Sequence, residues 1–176
     1  MRKQQQIWHD EHTNQGTLPT MANIEPASGV VQFIDWLKLQ NVALAGKAVD
    51  IDWQIDDNFF DLAIDSFSSI DIETKLGRER CRDEMYRTLK PGGYALVTVC
   101  SAEDEWEKEL IASHPGPEPN STIWPQNGKF QKDYDETELR EFYKTFDIVE
   151  LKRISKPAFK LGRDGTATNL WVVLRK

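Results

Sequence analysis

Cysteine is scarce in this chain. Its two, Cys81 and Cys100, make neither a disulfide framework nor a metal site at that spacing. They read as reduced, partly buried thiols. Long apolar runs are missing, and nothing approaches the roughly 20 residues of a membrane helix. The opening MRKQQQIWHDEH lacks the apolar stretch of a signal peptide, so a cytoplasmic protein with no membrane partner is expected. Positive charge is in deficit: the formal net charge is -7. Sequence-independent nucleic-acid binding needs basic surface to displace phosphate counterions, so no nucleic-acid partner is expected. There is no GxxxxGK[ST] phosphate loop, no internal repeat and no low-complexity tract. Glycine is absent between Gly46 and Gly77.

What is present is ordinary for a soluble globular protein: 176 residues, 39% hydrophobic and 29% charged. The length fits one domain with a real core. Residues 1–27 show no clear period and read as an N-terminal arm, and residues 28–176 read as a single α/β domain. Val30, Phe33, Ile34 and Leu37 fall at i, i+3, i+4, i+7, one face of a helix that Ser28 can cap. KAVDI (47–51) and residues 59–64 read as short strands. Residues 72–90 read as a helix with an apolar stripe of Ile72, Leu76, Cys81, Met85 and Leu89 and a solvated charged face.

Pro91-Gly92-Gly93 ends that helix in a turn, and residues 94–100 follow as a strand apolar enough to be buried on both faces. Ser101 to Asp104 resembles a capping box before a helix carrying Trp106, Leu110 and Ile111. Asp135 with Glu138 forms another before Leu139, Phe142, Tyr143 and Phe146. Trp106 and Trp171 are assigned to the core. Two closing strands, 148–154 and 169–174, are expected to form an antiparallel hairpin joined by a basic loop, 156–168. Strands alternating with helices imply an α/β sheet, mostly parallel, with that hairpin at one edge.

Three segments, in order, carry a resemblance: GKAVDI (46–51), DDNFFDLAIDSFSS (56–69) and LKPGGYALVTV (89–99). YDETELREFYKTF (134–146) and the closing hairpin fit it as well. The chain resembles the class I S-adenosylmethionine-dependent methyltransferases over most of residues 28–176. The resemblance implies a Rossmann-like methyltransferase sheet, S-adenosylmethionine as cofactor, and methyl transfer to a small-molecule acceptor. It also exposes a departure. The family's first strand runs into a glycine-rich loop that lets the backbone and a helix N-terminus approach the cofactor. Here Ile51 is followed by Asp52-Trp53-Gln54-Ile55. The loop and the family's second and third strands are missing, as if roughly 50–60 residues, two strand–helix units, had been removed. The sheet is therefore expected to be shortened in its N-terminal half.

A connection this short suits a hairpin better than a parallel crossover of about a dozen residues or more. Three outcomes compete: an antiparallel hairpin of the first two strands, strand exchange with a second copy in a homodimer, or a shortened form of a longer enzyme. A non-catalytic remnant that does not bind the cofactor is the alternative to an active enzyme.

Ligands of open α/β sheets bind beyond the C-terminal strand ends. Asp65 and Ser66, after the second strand, are the candidates to orient the acceptor or take its proton; as preferred cap residues they can equally fix a turn. By resemblance Asp50, Asp52, Trp53 and Phe67 are the cofactor candidates, with solvated turn carboxylates as the plainer reading of the two acids. Trp8, His9, His12 and Trp124 sit on the two long irregular segments, the arm and residues 114–128, which are expected to cover a substrate. His9 and His12 lack a nearby third ligand, so no metal is expected.

Overall fold

The alternation of apolar residues along TyrAlaLeuValThrVal (94–99) decides the layering. Successive side chains of a strand point to opposite faces. Ala95, Val97 and Val99 join one core cluster, and Leu96 joins a second on the other face. The computed structural model describes residues 28–42 and 56–176, with strand residues 48–50 between them. Trp8, His9, His12, Asp52 and Trp53 lie outside the described residues.

The described elements are α1 (Ser28–Leu39), β1 (Ala48–Asp50), β2 (Phe60–Ser66), a 3-10 turn (Ser69–Asp71), α2 (Lys75–Thr88), β3 (Leu89–Cys100), α3 (Glu105–Ser113), β4 (Ser121–Ile123), β5 (Phe130–Lys132), α4 (Glu136–Phe142), β6 (Asp147–Lys160) and β7 (Arg163–Arg175). A five-stranded sheet runs in the order β1-β2-β3-β7-β6, and β4-β5 forms a separate two-stranded sheet. β1, β2 and β3 are mutually parallel; β7 is antiparallel to both β3 and β6. This is a mixed α/β sheet, parallel over its first three strands and ending in the expected antiparallel hairpin.

α1 covers one face, burying Phe33 and Leu37 against Leu62, Leu96, Trp171 and Val173. Leu139, Tyr143 and Phe146 from and after α4, with Met85 of α2, cover the other against Ala63, Val97, Leu170 and Val172. Trp106 and Trp171 are both buried, and the Trp171 indole N–H donates to the Gly29 carbonyl at 3.0 Å.

Four expectations need correction. β1 and β2 do not form an antiparallel hairpin: Ala48 lies beside Leu62 and Asp50 beside Ile64 in parallel register. The chain must retreat only about 13 Å along the strand and about 4.8 Å sideways. Residues 51–59 reach up to about 30 Å when extended. A dozen-residue crossover is the requirement of a full-length strand, and β1 is three residues long.

The stripe of α2 runs through Arg78, Cys81, Met85 and Thr88, while Leu76 is 56% exposed. The Pro91-Gly92-Gly93 turn lies inside β3, because Leu89 already pairs with Phe60 before a register shift brings Tyr94 beside Leu62. Gly92 takes φ +80 there, its N–H donates to the Lys176 carbonyl, and a Cβ on Gly93 would meet the Asp61 carbonyl at 3.0 Å. Finally, residues 156–168 are no loop. β6 and β7 stay paired out to Lys160 and Arg163, closing through Leu161 (φ 53) and Gly162 (φ 77), the two positive-φ positions of a type I′ turn.

Candidate functional site at the strand ends

The site is assembled where β2 and β3 part. β2 pairs with β3 as far as Ser66 beside Thr98, and the Phe67 N–H still donates to the Thr98 carbonyl at 2.9 Å. Phe67 then turns away at φ 65, a left-handed conformation uncommon for a bulky residue. The place it vacates beside β3 is taken by a later part of the chain. The Tyr134 N–H donates to the Cys100 carbonyl at 3.1 Å, and the Ala102 N–H to the Tyr134 carbonyl at 2.9 Å. Segment 114–134, with the β4–β5 hairpin, therefore roofs the C-terminal end of β2. Thr122 holds that roof to α3: its hydroxyl donates to the His114 carbonyl at 2.8 Å.

Asp65 is 1% exposed. Its Oδ1 accepts from the Ser68 N–H at 3.1 Å and the Ser69 N–H at 3.0 Å, so the carboxylate caps the 3-10 turn. Ser66 is half-buried beside it. Asp50 ends β1 next to Ile64, which places Asp50, Ser66 and Phe67 at neighbouring ends of parallel strands. Of the named cofactor candidates, Asp52 and Trp53 lie outside the described residues.

Trp124, expected to help cover a substrate, is engaged within the protein: its indole N–H donates to Gln131 Oε1 at 3.0 Å, and Lys160 Nζ lies 4.9 Å from the ring centroid. These belong to a buried polar network that the sequence did not suggest. Gln131 Nε2 donates to Glu107 Oε2 at 3.1 Å and to Asp133 Oδ1 at 2.6 Å, and the Lys160 ammonium pairs with Glu107 Oε1. Ligand atoms of Cys100, Glu107 and Asp133 lie within 4.8 Å of one another. Three of the four carboxylate oxygens are thus held by an amide or ammonium; Asp133 Oδ2 is buried without a partner. Burial, then the Glu107 charge, pushes the Asp133 carboxyl up to about 7. The same burial pushes the Cys100 thiol well up, which makes it a poor nucleophile.

A second cluster faces a cavity of about 410 Å³ lined by Lys75, Arg78, Glu118, Lys132, Tyr134 and Glu138, together with Pro119 and Phe142. Arg78 Nη1 donates to the Ile72 carbonyl at 2.7 Å, Nη2 pairs with Glu118, and the plane lies over Phe130 at 5.3 Å. Its Nε–H is buried and unpartnered, a state that costs ~1–3 kcal/mol. Lys132 Nζ donates to the carbonyls of Pro119 at 3.0 Å and Asp133 at 2.7 Å and pairs with Glu138 at 2.7 Å. Burial holds its ammonium below the usual lysine range, with Glu138 opposing. The signal that could have found Arg78 was its place three and seven residues before Cys81 and Met85, on the buried side of the helix.

The cofactor side is less complete. The stretch 51–59 is long enough for the return to β2 but not for a glycine loop and a helix as well. Among the described residues, β1 is the edge of the sheet and no strand lies beyond it. The described residues do not by themselves fit S-adenosylmethionine.

No protein-family model and no curated protein matches the chain. Solved structures do. A SAM-dependent methyltransferase from Methanosarcina mazei is 18% identical with a TM-score of 0.59, covering 71% of this chain and 63% of its own. A possible histamine N-methyltransferase from Thermotoga maritima is 16% identical with a TM-score of 0.50, over 84% and 96%. The Burkholderia thailandensis 1,6-didemethyltoxoflavin-N1-methyltransferase, solved with S-adenosylhomocysteine, is 17% identical with a TM-score of 0.50, over 70% and 47%. The chain spans less than two thirds of the length of the first and third of these. These likenesses define the fold as that of the class I S-adenosylmethionine-dependent methyltransferases.

Proposed function

We propose that the protein serves S-adenosylmethionine-dependent methyl transfer to a small-molecule acceptor, with the described residues forming the acceptor side of the site. The observation that carries this reading is the strand order β1-β2-β3-β7-β6 with β7 antiparallel, together with the segment that crosses the end of β3 through Tyr134. S-adenosylmethionine supplies an electrophilic methyl group when bound. The chain then has only to align the acceptor's nucleophilic atom and take its proton where it carries one. Asp65 and Ser66 stand at the strand end for orientation, and Asp50, Asp52, Trp53 and Phe67 are assigned to the cofactor side. A homodimer that pairs the β1 edge of two copies is the arrangement we assign for completing that side.

A second reading is favoured by two observations: Asp65 is engaged as a turn cap, and no glycine separates Gly46 from Gly77. In it the chain keeps the methyltransferase fold without competent cofactor binding. Calorimetric titration of the folded chain with S-adenosylhomocysteine separates the two. Saturable heat supports the enzyme; none at millimolar ligand sinks it and leaves the fold assignment standing. Light scattering after size exclusion tests the dimer, and a clean monomer removes it.

A further inference from the structure

We propose that the cavity between α2, α4 and the roof is an oxoanion site, built to take the carboxylate or phosphate group of a small ligand, with Glu118 as its internal occupant. As an acceptor-anchoring pocket it rests on the methyl-transfer reading; as an oxoanion site it does not. At about 410 Å³ the cavity is in the range of small-molecule pockets.

The argument is one of asymmetry. The two cations facing the cavity are sequestered: the Arg78 and Lys132 side chains are 1% and 4% exposed. Their carboxylate partners are nearer water, with Glu118 at 24% and Glu138 at 34%. A half-solvated carboxylate can swing out and be rehydrated; a buried guanidinium cannot follow it and must find another anion. Lys75 adds a third positive charge, 71% exposed, to the lining.

The hydrogen bonding points the same way. Glu118 engages Arg78 through Nη2, and the adjacent Nε–H on the same edge of the guanidinium has no acceptor. That edge can hold two oxygens of one oxoanion in parallel, the stronger arrangement for arginine. A ligand carboxylate or phosphate that displaces Glu118 satisfies the buried Nε–H that Glu118 leaves unmet. Glu118 belongs to the roof segment 114–134, next to Pro119, whose carbonyl accepts from Lys132. Occupancy of the cavity is therefore coupled to where this part of the roof sits.

The test needs no cofactor, so failure of the chain to bind S-adenosylhomocysteine leaves it intact. Glu118→Ala removes the internal competitor. Inorganic phosphate and malonate are titrated into this variant and the unaltered chain, with sodium chloride at matched ionic strength as control. Glu118→Ala is expected to bind at least one of the two about tenfold more tightly than the unaltered chain. Whichever binds more tightly assigns the ligand class, phosphate or carboxylate. Arg78→Lys in the same background keeps the charge, removes the two-point edge and should lose that gain. A response no larger than the chloride control overturns the proposal. Should Glu118→Ala not fold, the Arg78 Nε–H resonance of the unaltered chain provides the readout. It should shift on titration with phosphate or malonate, and a signal unmoved at saturating concentrations of both overturns the assignment.

Discussion

Replacing Asp133 with asparagine should make the protein more stable at pH 8 and nearly unchanged at pH 4. The Asp133 carboxyl is fully buried and pushed up from 3.8 to about 7. A raised folded-state value means that its favourable contribution is complete below 3.8 and is lost as pH rises through about 7. The full loss corresponds to about 4 kcal/mol, and the part between pH 5 and pH 8 to about 3 kcal/mol. Glu107 shares the network and the proton, so about 1.5–3 kcal/mol is the working range. Asparagine retains an oxygen for the Gln131 Nε2 donor, which now lies 2.6 Å from Asp133 Oδ1, and carries no charge to desolvate. Thermal denaturation followed by tryptophan fluorescence at pH 5 and pH 8 measures the effect. The unaltered chain should lose stability across that interval and Asp133→Asn should lose much less, a difference of about 3–12 °C in Tm at pH 8. Parallel pH profiles for the two proteins would refute the reasoning.

Three further outcomes follow from the same kind of argument. Asp104→Ala should cost about 2–3 kcal/mol, because the buried carboxylate accepts from Trp106 and Glu107 N–H at the start of α3 and from the Thr168 N–H of β7; chemical denaturation reads it. Leu161→Asn should stabilise by about 0.5–1 kcal/mol, since Leu161 sits at φ 53 in a two-residue turn that prefers Asn-Gly, and the Tm rises accordingly. Asp65→Asn keeps an oxygen for the Ser68 and Ser69 N–H groups and should hold stability within about 1 kcal/mol, whereas Asp65→Ala should lose about 2 kcal/mol. Methyl transfer that survives Asp65→Asn removes proton acceptance by this residue.

The sequence was legible wherever a local rule controls the outcome. Period-3.6 spacing located α1 and its buried Phe33 and Leu37. The continuous apolar run marked β3 as central, and Asp135 caps α4 by accepting from the Glu138 N–H as its spacing suggested. Where two local signals compete, the spacing alone chose poorly. Asp104, not Ser101, caps α3, because only its carboxylate reaches both the helix N–H groups and the Thr168 N–H. The solvated reading of the α2 charges failed at Arg78, whose burial depends on a carboxylate 40 residues away. Asp65 was assigned both a chemical and a capping role; its capping geometry is visible, and its chemical role awaits the variant.

By itself the sequence determined the class of fold, because strand-to-helix alternation and the apolar faces are written in periodicities that local backbone geometry enforces. It also determined that no glycine lies between Gly46 and Gly77, which is a fact of composition. Tertiary structure decided the rest. The parallel pairing of β1 with β2 depends on strand length and distance rather than on turn residues. The two charged clusters, Arg78 with Glu118 and Lys132 with Glu138, and Glu107 with Asp133 and Lys160, join residues from separate elements. Their character comes from desolvation, a property of the surroundings that no single stretch of chain carries.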